Sequence, residues 1–340
     1  MEVMRTVRGD VPVEQIGHTQ THEHVLSNLA ATAVQQGSVK ADAEEIRLDN
    51  YYEVRRHHST FDLVMNDVDD AVEELRAYLE SGGSAVVDAT SLGLGRDPEG
   101  LHAVSVATGV HIVMGSGYYH RDYHPADLDE RSRSRLAEEI YGDVTEGVGE
   151  RRIRSGVIGE IGLGWPVHPV ERRVLEAAAD AQRSTGAALL IHPGRHADAP
   201  LDAMRIVADS GGDASRVIMS HIDRTLFDLD SMLRLADTGC YLEFDLFGQE
   251  SSYYPLAEID MPNDATRVDY LVALTERGHG RRLLVAQDIC SKTHLRKYGG
   301  EGYGHLIRNV LPLMARKGMS PEAVRDLTVR NPREALAIST

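Results

Sequence analysis

Eight short runs rich in apolar and β-branched residues recur along the chain, each closing at a polar or glycine-rich turn. They are IGHTQTHEH (16–24), SAVVDAT (84–90), VHIVMGSG (110–117), SGVIGEIG (155–162), AALLIHPG (187–194), RVIMSH (216–221), GCYLEFDL (239–246) and RLLVAQD (282–288). Apolar positions in most of them are continuous rather than alternating, as in strands covered on both faces. Between them lie stretches with helical periodicity: DVDDAVEELRAYLESGG, VERRVLEAAADAQRSTG, LDAMRIVADSGG, LDSMLRLADTG and ATRVDYLVALTERGHG. Several end in glycine, the residue that most readily closes a helix. Strand and helix alternating eight times predicts an α/β fold, a (β/α)8 TIM barrel.

No low-complexity linker or break in composition divides the 340 residues, so one domain spanning 1–340 is expected. The interval between the first two strands, roughly 25–83, contains the polar stretch VKADAEEIRLDNYYEVRRHHST, which reads as a long loop plus a helix placed to cover the barrel mouth. The tail, HLIRNVLPLMARKG through MSPEAVRDLTVRNPREALAI, reads as helices on the outside of the barrel, with Pro321 and Pro332 at helix starts.

Composition narrows the class. With 42% hydrophobic and 26% charged residues the chain has an ordinary globular make-up. A formal charge of -17 argues against nucleic acid as a partner, which normally demands a basic face. The N-terminal stretch has no apolar signal-peptide core and no run approaches 18 apolar residues, so membrane spanning and export are not expected and the cytoplasm is the default location. Two cysteines, Cys240 and Cys290, cannot build a disulfide framework; Cys290 stands two residues past Asp288, but neither CxxC spacing nor an adjacent base supports a ligand or nucleophile role.

The candidate chemistry sits where predicted strands end, the face on which such barrels carry their active sites. His22 and His24 are two apart on a strand, so both imidazoles can reach one metal ion; a surface HEH is the alternative. Glu160 in GEIG can bridge two cations or form a structural ion pair, since a buried bare charge needs a partner. His192 and His221 end the fifth and sixth strands; each alone could be a satisfied core histidine, but together with a carboxylate and an HxH pair they suggest ligands. Imidazole and carboxylate donors favour zinc, with manganese, iron or cobalt as substitutes. Asp288 ends the eighth strand, beside the first in a closed barrel, where it can bind the metal of His22 and His24 and accept a proton. Two cations would lower the pKa of a shared water from about 15.7 towards neutrality for attack on a carbonyl or phosphoryl centre.

These motifs, from IGHTQTHEHVL through GEIG, IHPGR, SHIDRT and AQD to KYGGEGYGHLIRNVLP, resemble the amidohydrolase superfamily and within it the phosphotriesterase-like branch, over essentially the whole chain. The resemblance implies a binuclear centre: His22, His24 and Asp288 on one metal, His192 and His221 on the other, Glu160 bridging. True phosphotriesterases and the related lactonases usually bridge with a carboxylated lysine, so the glutamate here points away from them. With GWPVHPVERRVL, SHIDRT, GCYLEFDLFG and IDMPND, it is most similar to the phosphotriesterase-related group linked to N-acyl taurine hydrolysis. An N-acyl amino acid or N-acyl amine amidase acting on a small molecule is therefore the expectation, with a lactonase or organophosphate hydrolase as the alternative and a binding protein without turnover behind both. A homodimer is implied by the resemblance alone. Arg195, Arg224, Tyr118 and Tyr119 are expected at the substrate, with Lys292 a weaker candidate. Arginine can hold a carboxylate or sulfonate through two parallel hydrogen bonds, although each of these residues could equally make a surface ion pair. Asp223 reads as a support for His221 or a helix cap, and Glu243 and Asp245 as substrate contacts or caps.

Overall fold

In the computed structural model residues 2–37, 39, 43–251, 254 and 257–339 are described. The runs become eight strands in chain order: β1 (His18–Glu23), β2 (Gly83–Asp88), β3 (His111–Met114), β4 (Val157–Gly162), β5 (Ala188–His192), β6 (Val217–Met219), β7 (Tyr241–Phe244) and β8 (Leu283–Val285). β1 to β3 pair in parallel, as do β4 to β8. Two seams close the ring. Gly156 N donates to Met114 O at 3.0 Å between β3 and β4, and Asp288 N donates to His22 O at 3.1 Å between β8 and β1. The result is the expected barrel.

Alternation along each strand sorts the side chains. In β5, Ala188 and Leu190 join the cluster inside the barrel while Leu189 and Ile191 face the helices. In β7, Tyr241 faces in and Leu242 and Phe244 face out, which turns Glu243 and Asp245 inwards. Helices Val68–Glu80, Pro98–Thr108, Arg133–Thr145, Pro169–Thr185, Ala199–Asp209, Leu229–Ala236 and Asp264–Glu276 follow the first seven strands. All but Ala199–Asp209 have a side-chain cap at their start: Asp67 accepts from the amides of Asp69 and Asp70, and Glu171 closes a capping box with His168 ahead of Pro169–Thr185. Gly186 ends that helix at φ 70°, a left-handed conformation open to glycine at little cost.

Below the barrel, Glu2–Thr6 pairs antiparallel with Gly9–Pro12 and with Ala337–Ser339. That last strand was not among the expected tail helices. Of those helices, Leu311–Arg316, Pro321–Arg325 and Asn331–Leu336 form, with single wider π-type turns at Leu306–Val310 and Asp326–Arg330. In the long first loop, residues 40–42 lie outside the described residues, whereas helix Tyr51–His57 is present. Its Tyr51 hydroxyl donates to Thr293 O at 2.8 Å and its Arg55 donates to Gly248 O at 3.0 Å, so this segment is fastened to the loops after β7 and β8. Among the described residues no helix is long and apolar enough to cross a membrane.

Arg267 fastens the same face from beneath. Fully buried, it donates to Asp223 at 2.7 Å, to Asp264 at 2.9 Å and to Gln249 O at 2.9 Å. Removing one partner of such a pair strands the other charges in the interior. Arg267→Met is therefore expected to cost about 3–5 kcal/mol of folding stability, read as a lowered urea midpoint.

Candidate metal centre

Six side chains from five strand ends converge at the mouth. Both histidines at the end of β1 turn towards Glu160: His24 Nε2 is 3.3 Å from Glu160 Oε1 and 3.3 Å from Asp288 Oδ1, and His22 Nε2 is 3.6 Å from Glu160 Oε2. On the other side His192 Nδ1 stands 2.9 Å and His221 Nε2 3.6 Å from Glu160 Oε2. The potential ligand atoms of His22, His24 and Glu160 lie within 4.8 Å of one another, as do those of Glu160, His192 and His221, and of His22, His221 and Asp288. Apart from Asp288, all of these residues are buried.

Three backbone departures aim these groups. Counted from Ile158, which faces the helices, alternation would turn Glu160 to the helices too, but an irregularity between Ile158 and Ile161 inserts a residue, so that Ile161 faces the helices and Glu160 comes inside. His221 and Asp288 take left-handed backbones at φ 55° and 49°. Such conformations cost a non-glycine residue about 1–2 kcal/mol, so they need support. For His221 it comes from Asp245, which accepts from its amide at 2.9 Å and meets its Nδ1 at 2.9 Å. For Asp288 it comes from Gln249, whose amide donates to Gln287 O and Asp288 O at 3.0 Å each.

Other partners orient the rings. Thr90 Oγ1 meets His24 Nδ1 at 2.9 Å, while Ser220 Oγ at 3.1 Å and Glu243 Oε2 at 3.2 Å meet His22 Nδ1. With Nδ1 engaged, the Nε2 atoms of His22 and His24 are the ones left to face Glu160. Glu243 and Asp245 are thus neither caps nor exposed contacts; they sit behind His22 and His221. Their spacing on an apolar strand, with both facing inwards, was the available signal.

The electrostatics fit a demand for cations. Burial would lower the His22 pKa, but Glu160, Glu243 and Asp245 hold it well above the ordinary value. Against the same burial, Asp288 and Glu160 raise His24 to about 10. Burial works to raise Glu160 and Asp288, yet the surrounding imidazoles hold both below the ordinary carboxylate range. Meanwhile the buried His22 Nε2 has no hydrogen-bond partner among the described residues, and His221 Nε2 stands only 2.8 Å from His192 Nδ1. Imidazole lone pairs crowded around carboxylates are the donor set that zinc or a similar divalent ion takes.

Of the expected substrate contacts, Tyr119 and Arg224 reach the group, while Arg195, three residues past His192, donates to the Tyr254 hydroxyl at 3.2 Å. The Tyr119 hydroxyl is 3.1 Å from His192 Nδ1, and Arg224 donates to His192 Nε2 at 3.0 Å. Tyr118 points the other way: its hydroxyl donates to Glu139 at 2.6 Å and accepts from Arg131 at 2.8 Å, beside the outer helices. Adjacent residues project to opposite sides of an extended segment, so only one of the two tyrosines can face the mouth. Lys292 stacks its ammonium 3.7 Å from the Phe61 ring centre, and Asp223 pairs with Arg267 rather than with His221. Burial, with Asp288 and Asp62 adding to it, pushes the Cys290 thiol well above its ordinary value, which disfavours a thiolate nucleophile.

Comparison with known proteins places this geometry. Residues 2–336 match the phosphotriesterase family. The N-acetyltaurine hydrolase of Tetraodon nigroviridis is 40% identical over 340 residues, covering 98% of this chain and 97% of the relative. A phosphotriesterase-related protein of Nematostella vectensis is 37% identical over 339 residues, covering 97% of each. Among solved structures, a resiniferatoxin-binding protein from Rhodobacter sphaeroides superposes with a TM-score of 0.92 at 30% identity, covering 98% of this chain and 94% of that one.

Proposed function

From the chain's membership of the phosphotriesterase family, whose members are metal-dependent hydrolases, we propose that it cleaves the C–N bond of small N-acyl amides, with an N-acyl taurine or N-acyl amino acid as substrate. His22, His24 and Asp288 would hold one divalent cation and His192 and His221 a second, with Glu160 shared between them; zinc is the first choice, with manganese, iron or cobalt as substitutes. One observation carries this reading: Glu160 stands between the two histidine groups, with Oε1 3.3 Å from His24 Nε2 and Oε2 3.6 Å from His22 Nε2 on one side and 2.9 Å from His192 Nδ1 on the other.

Bound divalent cations supply Lewis acidity at the carbonyl and lower the pKa of water towards neutrality. The chain's own residues do the rest. Asp288, the most exposed member of the cluster and a carboxylate at neutral pH, accepts the proton of the attacking water and returns it to the departing nitrogen, which must be protonated to leave. Burial, with Glu160 next, pushes the Tyr119 phenol well above its ordinary value, so it remains a hydrogen-bond donor beside the carbonyl rather than a base. Asp245 and Glu243 keep the two histidine groups aimed.

The amide reading rests on the 40% identical N-acetyltaurine hydrolase and on glutamate at the bridging position. It is tested by assaying the zinc- or manganese-loaded protein on N-acetyltaurine, N-acyl amino acids, lactones and aryl phosphotriesters in one panel. An amide is expected to lead in kcat/KM by about 100-fold or more, the scale on which a site built around one leaving group discriminates. Turnover confined to lactones or phosphotriesters would replace the substrate class.

A further inference from the structure

Among the described residues Arg195 and Arg224 are cations without anions. Arg224 is 3% exposed, yet among the described residues it pairs with no carboxylate; it donates to His192 Nε2 at 3.0 Å, Pro193 O at 3.3 Å and Thr225 Oγ1 at 3.2 Å. Arg195, on the loop after β5, donates among the described residues from Nε, to the Tyr254 hydroxyl at 3.2 Å, and its guanidinium lies 5.8 Å from that ring's centre. Arg224 reaches the same loop, since Pro193 O, two residues before Arg195, accepts from its Nη2 at 3.3 Å. A buried guanidinium that meets only neutral groups lacks the partner that would offset its desolvation.

The His192 contact sharpens the point. Nδ1 is the nitrogen turned to Glu160 and His221, at 2.9 Å and 2.8 Å. A neutral imidazole that gives its Nδ1 lone pair to a cation carries its proton on Nε2. Nε2 then becomes a donor and cannot accept from Arg224. Metal loading would therefore free the edge of the Arg224 guanidinium that faces His192.

We propose that Arg195 and Arg224 together form a receptor for an anionic group of the substrate, a sulfonate or carboxylate, and that metal binding at His192 opens it. This rests on the amide-hydrolase reading and assigns the residues that take the negative charge of its N-acyl taurine or N-acyl amino acid substrates. Planar guanidinium groups match such two-oxygen anions with parallel hydrogen bonds.

The test compares N-acetyltaurine, N-acetyl-β-alanine and the uncharged N-acetylethanolamine on the metal-loaded wild type and on Arg195→Gln, Arg195→Lys and Arg224→Gln, with metal content recorded for each. In Arg195→Gln and Arg224→Gln the ratio of charged to uncharged kcat/KM is expected to fall about 10–100-fold, mainly through KM, and Arg195→Lys to fall between. Calorimetry with ethanesulfonate adds a readout independent of turnover: binding about tenfold tighter to the zinc-loaded than to the metal-free chain, and weakened in both glutamine variants. The relative loss on sulfonate and carboxylate identifies which anion the pair prefers. An unchanged charged-to-uncharged ratio together with unaltered ethanesulfonate binding would overturn the proposal while leaving the amidase reading intact. Failure of the wild type on all three amides, with ethanesulfonate binding retained, would remove the amidase reading and keep the anion receptor.

Discussion

Glu160→Ala is expected to lower kcat/KM by about 10³-fold or more and to leave the purified protein with little bound metal. The size of the effect follows from the number of groups that depend on this one carboxylate. Its oxygens lie within 3.6 Å of ring nitrogens from His22, His24, His192 and His221. Four buried imidazoles would keep their orientation but lose the negative charge at their centre, and two cations placed there would repel one another unshielded. Glu160→Gln separates charge from shape: its amide has a single acceptor oxygen, so it can serve one histidine group and not both. Near-normal metal content in Glu160→Ala would mean that the carboxylate does not bridge. The measurements are elemental analysis of the folded variant and kcat/KM on the amide that the wild type prefers.

For Asp288→Asn the expected loss falls in turnover rather than in metal. The asparagine oxygen can still face His24, where Asp288 Oδ1 stands at 3.3 Å, and asparagine tolerates the left-handed backbone that position 288 adopts at φ 49°. What it cannot do is take up a proton. General acid–base contributions of this kind are worth about 10²–10⁴-fold, so kcat should fall on that scale while much of the metal is retained. A variant that turned substrate over like the wild type would remove Asp288 from the proton path.

The barrel was legible in the sequence because continuous apolar runs have few other uses, and β5 shows how far that legibility extends. Ala188 and Leu190 face in, so simple alternation puts His192 at the mouth. The same rule would have put Glu160 and His221 on the wrong side. An irregularity in β4 and a left-handed backbone at His221 correct the aim; Gly159, at φ 123°, marks the first in the sequence, whereas no glycine marks the turn at His221. Glu243 and Asp245 were open to the reverse inference: alternation alone turned both inwards, where two carboxylates need cationic or imidazole partners. Helix Arg133–Thr145 escaped notice because its buried stripe is thin, only Leu136, Ile140 and Val144. The strand Ala337–Ser339 has its meaning through Glu2–Met4 at the other end of the chain, a pairing that no local pattern announces.

Anomalous diffraction at the zinc edge from crystals of the zinc-loaded protein tests the central claim most directly. Two peaks per chain are predicted, roughly 3.5–4 Å apart, one beside His22, His24 and Asp288 and one beside His192 and His221, each touching a different oxygen of Glu160. A single ion with Glu160 bound through one oxygen only, or no ion among these six residues, would contradict it.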